Sequence, residues 1–240
     1  MAAEEEAALL LAAAPDDTAL EALVRRREQG EPLPWIIGTL LFCGRPLHVA
    51  PGVYVPRRQS EELARRAVTL LPASGRAVDL CTGAGAVAAH LMAEVPGARV
   101  VGVDIDLRAA HCARRNGVPT LVGDLDGPLR ASRAFDVVTA VTPYVPTDQL
   151  RFLPADVQRY EPPRALDGGP EGLDLLRRVV AAAGRLLRLD GWLLVEVGGD
   201  QHLALDWQGF EPVTPWRDDD GALRGVAARL SPAGERGGPR

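Results

Sequence analysis

From residue 76 onward, short apolar runs alternate with segments whose apolar residues recur at helical spacing. Because the runs are continuously apolar, they predict parallel strands covered by helices on both faces, in a doubly wound α/β sheet. In such a sheet the ligand binds beyond the carboxyl ends of the strands. The predicted strands are 76–83, 98–106, 119–124, 134–141 and 191–198, and the predicted helices are 85–94, 107–116 and 172–188.

The segment before residue 76 carries helical patterns and one hairpin pattern. Asp16 or its neighbour Asp17 is suited to cap the second helix. Two apolar runs flank a Gly-Arg-Pro turn at 44–46, which predicts the hairpin. Ser60 is expected to cap the helix that follows it. The predicted elements are helices over 4–14 and 16–28, a hairpin over 40–56 and a helix over 61–71.

The rest of the chain is less regular. A long irregular segment over 142–170 follows the fourth strand, and a loop of this length inside a compact domain is usually functional. One helix and two strands are predicted over 200–230. The last ten residues, SPAGERGGPR, have almost no apolar content and predict a disordered tail over 231–240.

Composition narrows the possible functions. The chain has 240 residues and a net charge of −5, so it lacks the basic surplus typical of a nucleic-acid-binding protein. Its cysteines are three in number and form no Cys-x-x-Cys, and its four histidines have no metal-ligand spacing. The apolar stretch Ala7 to Ala14 is too short to cross a bilayer. We therefore expect a cytoplasmic protein with no metal, nucleic-acid or membrane partner, and leave its oligomeric state open.

A glycine-rich loop follows the first strand of the predicted sheet. Gly83 and Gly85 allow the backbone to approach a ligand at the amino end of the next helix. Together with Ala88 they fit the Gly-x-Gly-x-x-Gly/Ala pattern of dinucleotide sites. Asp104 follows Gly85 by 19 residues, at the end of the second strand, where a carboxylate accepts hydrogen bonds from ribose hydroxyls. These residues predict an adenosine cofactor without identifying it.

Two further carboxylates favour S-adenosylmethionine over NAD. Asp79 lies inside the first strand, four residues before Gly83, as the acidic residue of S-adenosylmethionine-dependent methyltransferases does. There the acid meets the cofactor's amino group directly or through water, whereas a dinucleotide site would not place an anion near a pyrophosphate. Asp124 ends the third strand and is placed to accept a hydrogen bond from the adenine amino group.

Two long motifs resemble the HemK-type protein N5-glutamine methyltransferases that modify peptide-chain release factors, especially a shorter related group of unassigned substrate. The resemblance covers about residues 32 to 230. The stretch PLPWIIGTLLFCGRPLHVAPGVYVPRRQSEEL, 32–63, is similar to the family's hairpin and its Pro-Arg-Pro-Glu-Thr-Glu segment, which here reads Pro-Arg-Arg-Gln-Ser-Glu over 56–61. The stretch EPPRALDGGPEGLDLLRR, 161–178, is similar to the family's Glu-Pro-x-x-Ala-Leu-x-Gly-Gly-x-x-Gly-Leu.

The resemblance implies a seven-stranded class I methyltransferase domain, Rossmann-like, over 57–230, with its last strand antiparallel. It implies that the helices and hairpin over 1–56 are a shortened substrate-recognition region or lid. It also implies that S-adenosylmethionine is the methyl donor and S-adenosylhomocysteine the product. The implied cofactor residues are Asp79, Cys81, Gly83, Gly85, Asp104 and Asp124, and the candidate substrate-binding residues are Arg57 and Glu161.

The family's catalytic signature is altered in this chain. In the family, Asn-Pro-Pro-Tyr follows the fourth strand, and the Asn side chain and a following main-chain carbonyl hold the glutamine amide. The matching residues here are Val141, Thr142, Pro143 and Tyr144. Three interpretations stay open: a glutamine methyltransferase that uses Thr142 and backbone groups, an N- or O-methyltransferase for a small molecule or another peptide side chain, and a non-catalytic S-adenosylmethionine-binding protein.

Overall fold

The computed structural model describes residues 3–130, 133–218 and 220–231. Its strands are β1 (Thr39–Phe42), β2 (Arg45–His48), β3 (Arg76–Leu80), β4 (Arg99–Asp104), β5 (Thr120–Val122), β6 (Phe135–Ala140), β7 (Leu187–Glu196), β8 (Thr214–Arg217) and β9 (Leu223–Arg229). Its helices are α1 (Ala3–Ala13), α2 (Asp17–Glu28), α3 (Leu33–Ile37), α4 (Ser60–Leu70), α5 (Ala86–Glu94), α6 (Leu107–Arg115), α7 (Ala155–Tyr160) and α8 (Asp174–Leu186).

Seven strands form one sheet in the order β5-β4-β3-β6-β7-β9-β8. The five strands from β5 to β7 are parallel, and β9 runs antiparallel to both of its neighbours. Ala77 faces a core shared with α4 and α5, whereas Val78 and Leu80 face a core shared with α8. Burial on both faces explains why these strands are apolar without alternation. The predicted class I methyltransferase sheet and its antiparallel last strand are confirmed.

The first two predicted helices are confirmed, but the hairpin is shorter than the predicted 40–56 and the short helix α3 was not predicted. Asp16 caps α2, since its Oδ1 accepts a hydrogen bond from the Ala19 N–H at 2.8 Å. The hairpin turns at Cys43 and Gly44, whose φ values are +49° and +74°, and not at 44–46 as predicted. Two positive φ values in a two-residue loop match the right-handed twist of the strands, so Pro46 falls within β2.

Other element predictions need correction. Ser60 is the first residue of α4 and makes no capping bond, because its hydroxyl donates to Glu196. The segment 142–170 is partly helical: it contains α7, which begins after Pro154, and two 3₁₀ turns. The expected helix in 200–230 is only a 3₁₀ turn, Gln201–Ala204. Apart from Ser231, the predicted tail lies outside the described residues. No helix in the described ranges has the length and apolar character needed to span a membrane.

Candidate active site

A cleft opens at the carboxyl ends of β3, β4 and β6. This is the edge at which ligands bind in parallel sheets, and it places residues from three separate loops side by side. Residues 52–54, together with Pro162, Arg164 and Ala165, form further parts of its wall. Six of the predicted site residues line the cleft: Cys81, Gly83, Asp104, Val141, Thr142 and Pro143.

The two glycines of the loop after β3 have different roles. Gly83 has a φ of +56°, and no atom lies within 4 Å of the position that a Cβ would occupy, so it leaves open space at the cleft. Gly85 has a φ of +81° and does not line the cleft. A Cβ there would lie 3.0 Å from the Cβ of Ala113 and 3.1 Å from the Cγ2 of Val118. Gly85 therefore allows α5 to pack closely against α6.

Asp104 is held at the end of β4 by backbone donors. Its Oδ2 accepts a hydrogen bond from the Gly83 N–H, and its Oδ1 accepts one from the Asp106 N–H, both at 2.8 Å. Burial raises the pKa of this carboxyl group, while the two backbone donors oppose the shift. A carboxylate has about four acceptor positions, so two remain for the hydroxyls of a bound ribose. The arrangement fits an adenosine cofactor.

Asp79 is not part of the cleft wall. Its side chain is buried, and its two oxygens accept hydrogen bonds from the hydroxyls of Thr82 at 2.6 Å and Thr139 at 2.7 Å. Burial raises the pKa of Asp79 to about 6, although both hydroxyls stabilise the charged form. In this arrangement Asp79 anchors the loop to β6. The predicted contact with a cofactor amino group stays a prediction.

Asp124 also lies away from the cleft lining. It is exposed on the loop after β5 and pairs with Arg178 of α8 at 2.7 Å. An exposed pair of this kind is weak, since water and salt screen it. The predicted hydrogen bond between Asp124 and the adenine amino group therefore stays a prediction. To make it, the Asp124 carboxylate would have to break its salt bridge with Arg178 or keep that bridge with one oxygen only.

The residues that follow β6, Val141 to Tyr144, form what we call the lip of the cleft. Val141, Thr142 and Pro143 face the cleft. The Thr142 Oγ1 is buried and has no hydrogen-bond partner among the described residues. The side chain of Tyr144, the last residue of the lip, does not line the cleft: its ring lies against Gly198, and its hydroxyl accepts a hydrogen bond from the Gln59 amide at 2.9 Å.

The two candidate substrate-binding residues pair with each other. The guanidinium of Arg57 forms a salt bridge with the carboxylate of Glu161, which is buried and also accepts a hydrogen bond from the Val55 N–H at 3.3 Å. Burial raises the pKa of Glu161, and Arg57 opposes that shift. Arg57 also lies 5.0 Å from the ring centre of Tyr54, which lines the cleft. The pair thus joins the segment after the hairpin to the loop before α8.

Several site residues were missed by sequence reasoning. Tyr54 stands between two prolines in PGVYVP, a setting that could have marked it. Arg164 lies exposed at the rim and makes no hydrogen bond or salt bridge with the described part of the chain. Glu196 is 2% exposed and ends β7, and a glutamate in the run WLLVEV was itself a signal of a buried polar partner.

Comparisons with known proteins agree with this architecture. Residues 77–160 match the family described as "Methyltransferase domain". A ribosomal protein L11 methylase from Lactobacillus delbrueckii subsp. bulgaricus has a similar structure, with a TM-score of 0.54 and 17% sequence identity over 76% of this chain and 84% of that one. At this identity the likeness shows the fold alone.

Two curated relatives are considerably more similar in sequence. The release factor glutamine methyltransferase of Geobacter sulfurreducens is 40% identical over 222 residues, which cover 88% of this chain and 78% of that protein. The 4-amino-L-phenylalanine/4-methylamino-L-phenylalanine methyltransferase of Streptomyces pristinaespiralis is 39% identical over 190 residues, which cover 74% of this chain and 65% of that protein.

Proposed function

Since the chain belongs to the release factor glutamine methyltransferase family, we propose that it transfers a methyl group from S-adenosylmethionine to an amine nitrogen rather than to a glutamine amide. The observation that carries the proposal is Val141, an apolar residue that lines the cleft at the first position of the lip. The resembled motif has asparagine there, which holds the planar amide. Valine has neither a donor nor an acceptor for such a substrate.

The cost of this change for an amide substrate can be estimated. An amide buried against Val141 loses at least one hydrogen bond, at roughly 1–3 kcal/mol. That corresponds to about 10- to 100-fold in affinity, before any effect on the reaction. The lone pair of an amide nitrogen is delocalised into the carbonyl and must be localised by the enzyme, whereas the lone pair of an amine, even an aromatic one, is delocalised much less. An amine therefore tolerates the loss of asparagine better than an amide does.

The cofactor side of the cleft retains what an adenosine cofactor requires. Gly83 leaves open space, and Asp104 presents unused acceptor positions beside it. We assign these two residues and Cys81 to the binding of S-adenosylmethionine. When bound, this cofactor supplies an electrophilic methyl group and leaves as S-adenosylhomocysteine. The chain's own contribution is to orient the acceptor and to exclude water, for which apolar Val141, Pro143 and the ring of Tyr54 are suited.

The substrate in the name of the Streptomyces pristinaespiralis relative is an aromatic amine, and that compound is a suitable probe of the proposed amine specificity. The alternative is a glutamine amide on a protein, favoured by 40% identity to the Geobacter sulfurreducens enzyme.

The test compares both acceptors with one enzyme preparation. The wild-type protein and a Val141→Asn/Thr142→Pro variant are each given S-adenosylmethionine and either 4-amino-L-phenylalanine or a glutamine-containing peptide, and methylated products are measured by mass spectrometry. We expect the wild type to methylate the aromatic amine at least tenfold faster than the amide, and the variant to shift toward the amide, by about 10- to 100-fold. Faster methylation of the glutamine peptide by the wild type would overturn the proposal.

A further inference from the structure

A buried polar cluster lies directly behind the lip, where β7 ends. Its centre is Glu196, which is 2% exposed. The Gln59 Nε2 donates to the Glu196 Oε1 at 2.6 Å, and the Ser60 hydroxyl donates to the Glu196 Oε2 at 2.6 Å. The same Gln59 nitrogen lies 2.9 Å from the Tyr144 hydroxyl. These four residues connect the start of α4 to β7 and to the lip, across 137 positions of the chain between Gln59 and Glu196.

The protonation states in this cluster are set by burial. Burial, and next the charge of Glu196, raise the pKa of Tyr144 to about 12, so its phenol is neutral at neutral pH. That oxygen accepts the hydrogen bond from the Gln59 amide. The phenol oxygen is therefore engaged behind the lip, and Tyr144 is not available to take a proton from an acceptor in the cleft.

The orientation of the Gln59 amide follows from its other neighbour. The Gln59 Oε1 accepts a hydrogen bond from Arg224 of β9 at 3.1 Å, and Arg224 also pairs with Asp218 at 2.6 Å. With its oxygen toward a guanidinium, the amide presents its nitrogen to Glu196 and Tyr144. The resembled motif has a glutamate at position 59. A glutamate would face Glu196 with a second carboxylate, and two such groups must share a proton or repel each other.

We propose that Gln59 and Glu196 are positioning residues for methyl transfer, because together they clamp Tyr144 and so fix the lip against the cleft. The expected effect on kcat rests on the proposed function, whereas the expected effect on the mobility of the lip does not. The clamp holds the side chain of Tyr144, while the backbone beside it is tied by a bond from the Gln201 amide to the Tyr144 carbonyl at 2.8 Å and by one from the Val145 N–H to the Leu166 carbonyl at 3.1 Å.

The experiment uses hydrogen exchange and steady-state kinetics on the full chain. Gln59→Met removes both donated bonds at similar volume, and Tyr144→Phe removes only the hydroxyl. A third variant, Gln59→Glu, places a second carboxylate beside Glu196. Gln208→Glu makes the same change at an exposed position and serves as its control. Exchange at Tyr144 and Val145 is measured with S-adenosylmethionine present, and initial rates are measured with 4-amino-L-phenylalanine.

Of the bonds that Gln59→Met removes, only the one to the Tyr144 hydroxyl reaches the lip. We therefore expect this variant to speed exchange in the lip by about tenfold and to lower kcat by a similar factor, with the KM for S-adenosylmethionine within about twofold. In a Tyr144→Phe background the same substitution should change kcat by less than about twofold, since both act through one contact. Because amide exchange is base-catalysed at every site, each variant is compared with the wild type at the same pH. The ratio of lip exchange rates should rise with pH for Gln59→Glu, whereas Gln208→Glu should stay at the wild-type rate. Ser60, Tyr54, Tyr144 and Arg224 are the other polar groups that face Glu196.

Unchanged lip exchange in both folded single variants would overturn the clamp, as would fully additive effects on kcat. If Gln59→Met does not fold, Tyr144→Phe alone decides through the same exchange measurement. Faster lip exchange without turnover of 4-amino-L-phenylalanine by the wild type would support the clamp while contradicting the proposed acceptor, so the two failures are distinguishable.

Discussion

Replacement of Asp104 by alanine tests the assigned cofactor site most directly. The carboxylate is already oriented by the N–H groups of Gly83 and Asp106, each at 2.8 Å, and its remaining lone pairs lie at the cleft. If these lone pairs accept two ribose hydroxyls, Asp104→Ala removes two hydrogen bonds to a charged group. Each is worth about 1.5–3 kcal/mol, so the expected loss is about 3–6 kcal/mol of binding free energy.

This loss corresponds to a dissociation constant for S-adenosylmethionine roughly 100- to 10,000-fold higher, which isothermal titration calorimetry can measure. Circular dichroism checks that the variant is folded. Asp104→Asn keeps one acceptor oxygen and should fall between wild type and Asp104→Ala. Asp148→Ala, at an exposed position of a 3₁₀ turn, is the matched control and should bind as the wild type does.

The result that would refute the reasoning is a folded Asp104→Ala variant whose dissociation constant changes less than about threefold. A pH series adds a second check. Because burial raises the pKa of Asp104, its charged form is lost at a higher pH than for an ordinary aspartate. Affinity for S-adenosylmethionine should therefore decline as the pH falls through this raised pKa, and it should not decline in the same way for Asp104→Asn.

Two further predictions concern buried charges. The pKa of Asp79 is raised from 3.8 to about 6, so the folded state binds the proton more tightly than the unfolded chain, and the free energy of unfolding should fall by about 3 kcal/mol as the pH rises from about 4 to 6. Asp79→Asn should remove this dependence in urea titrations, and an unchanged slope would contradict the assignment. Arg57→Met leaves the buried carboxylate of Glu161 without its cation and should cost about 3 kcal/mol of unfolding free energy. Adding Glu161→Gln to this variant should recover much of the lost unfolding free energy. If the losses of the two single variants simply add in the double variant, the salt bridge does not stabilise the fold as argued.

The sheet could be predicted because its strands are buried on both faces. The run 134–141 is apolar except for Asp136 and Thr139, and the observed strand β6, Phe135–Ala140, lies within it. Because both faces are buried, the sequence does not show toward which face of the sheet each side chain points. Asp79 was expected to point toward a ligand, but without alternation nothing in the sequence indicates its face. In the structure Asp79 lies opposite Thr139 in the β3–β6 register, and this partner's hydroxyl holds it.

The sequence also did not predict hydrogen bonds between residues that lie far apart along the chain. A serine before an apolar helix predicts a cap, and that local inference about Ser60 was reasonable. The competing partner, Glu196, lies 136 residues further along the chain, and no local pattern relates the two. A buried carboxylate gains more from a hydroxyl donor than a helix end gains from a cap, because an unsatisfied buried charge is costly while a helix end near the surface can bind water.

Three departures from the resembled family lie at or next to one wall of the cleft, while a fourth, Arg58, is exposed outside it. Val141 and Thr142 lie at the front of the lip, and Gln59 lies behind it, in contact with the hydroxyl of Tyr144. The glycine and carboxylate on the opposite side, Gly83 and Asp104, match the pattern expected for the cofactor. A chain that had lost catalysis would have no reason to place most of these changes at the acceptor wall. Their placement therefore favours a changed acceptor over a lost activity, and the Thr142 Oγ1, which is buried and has no described partner, is a polar atom left unpaired on that wall.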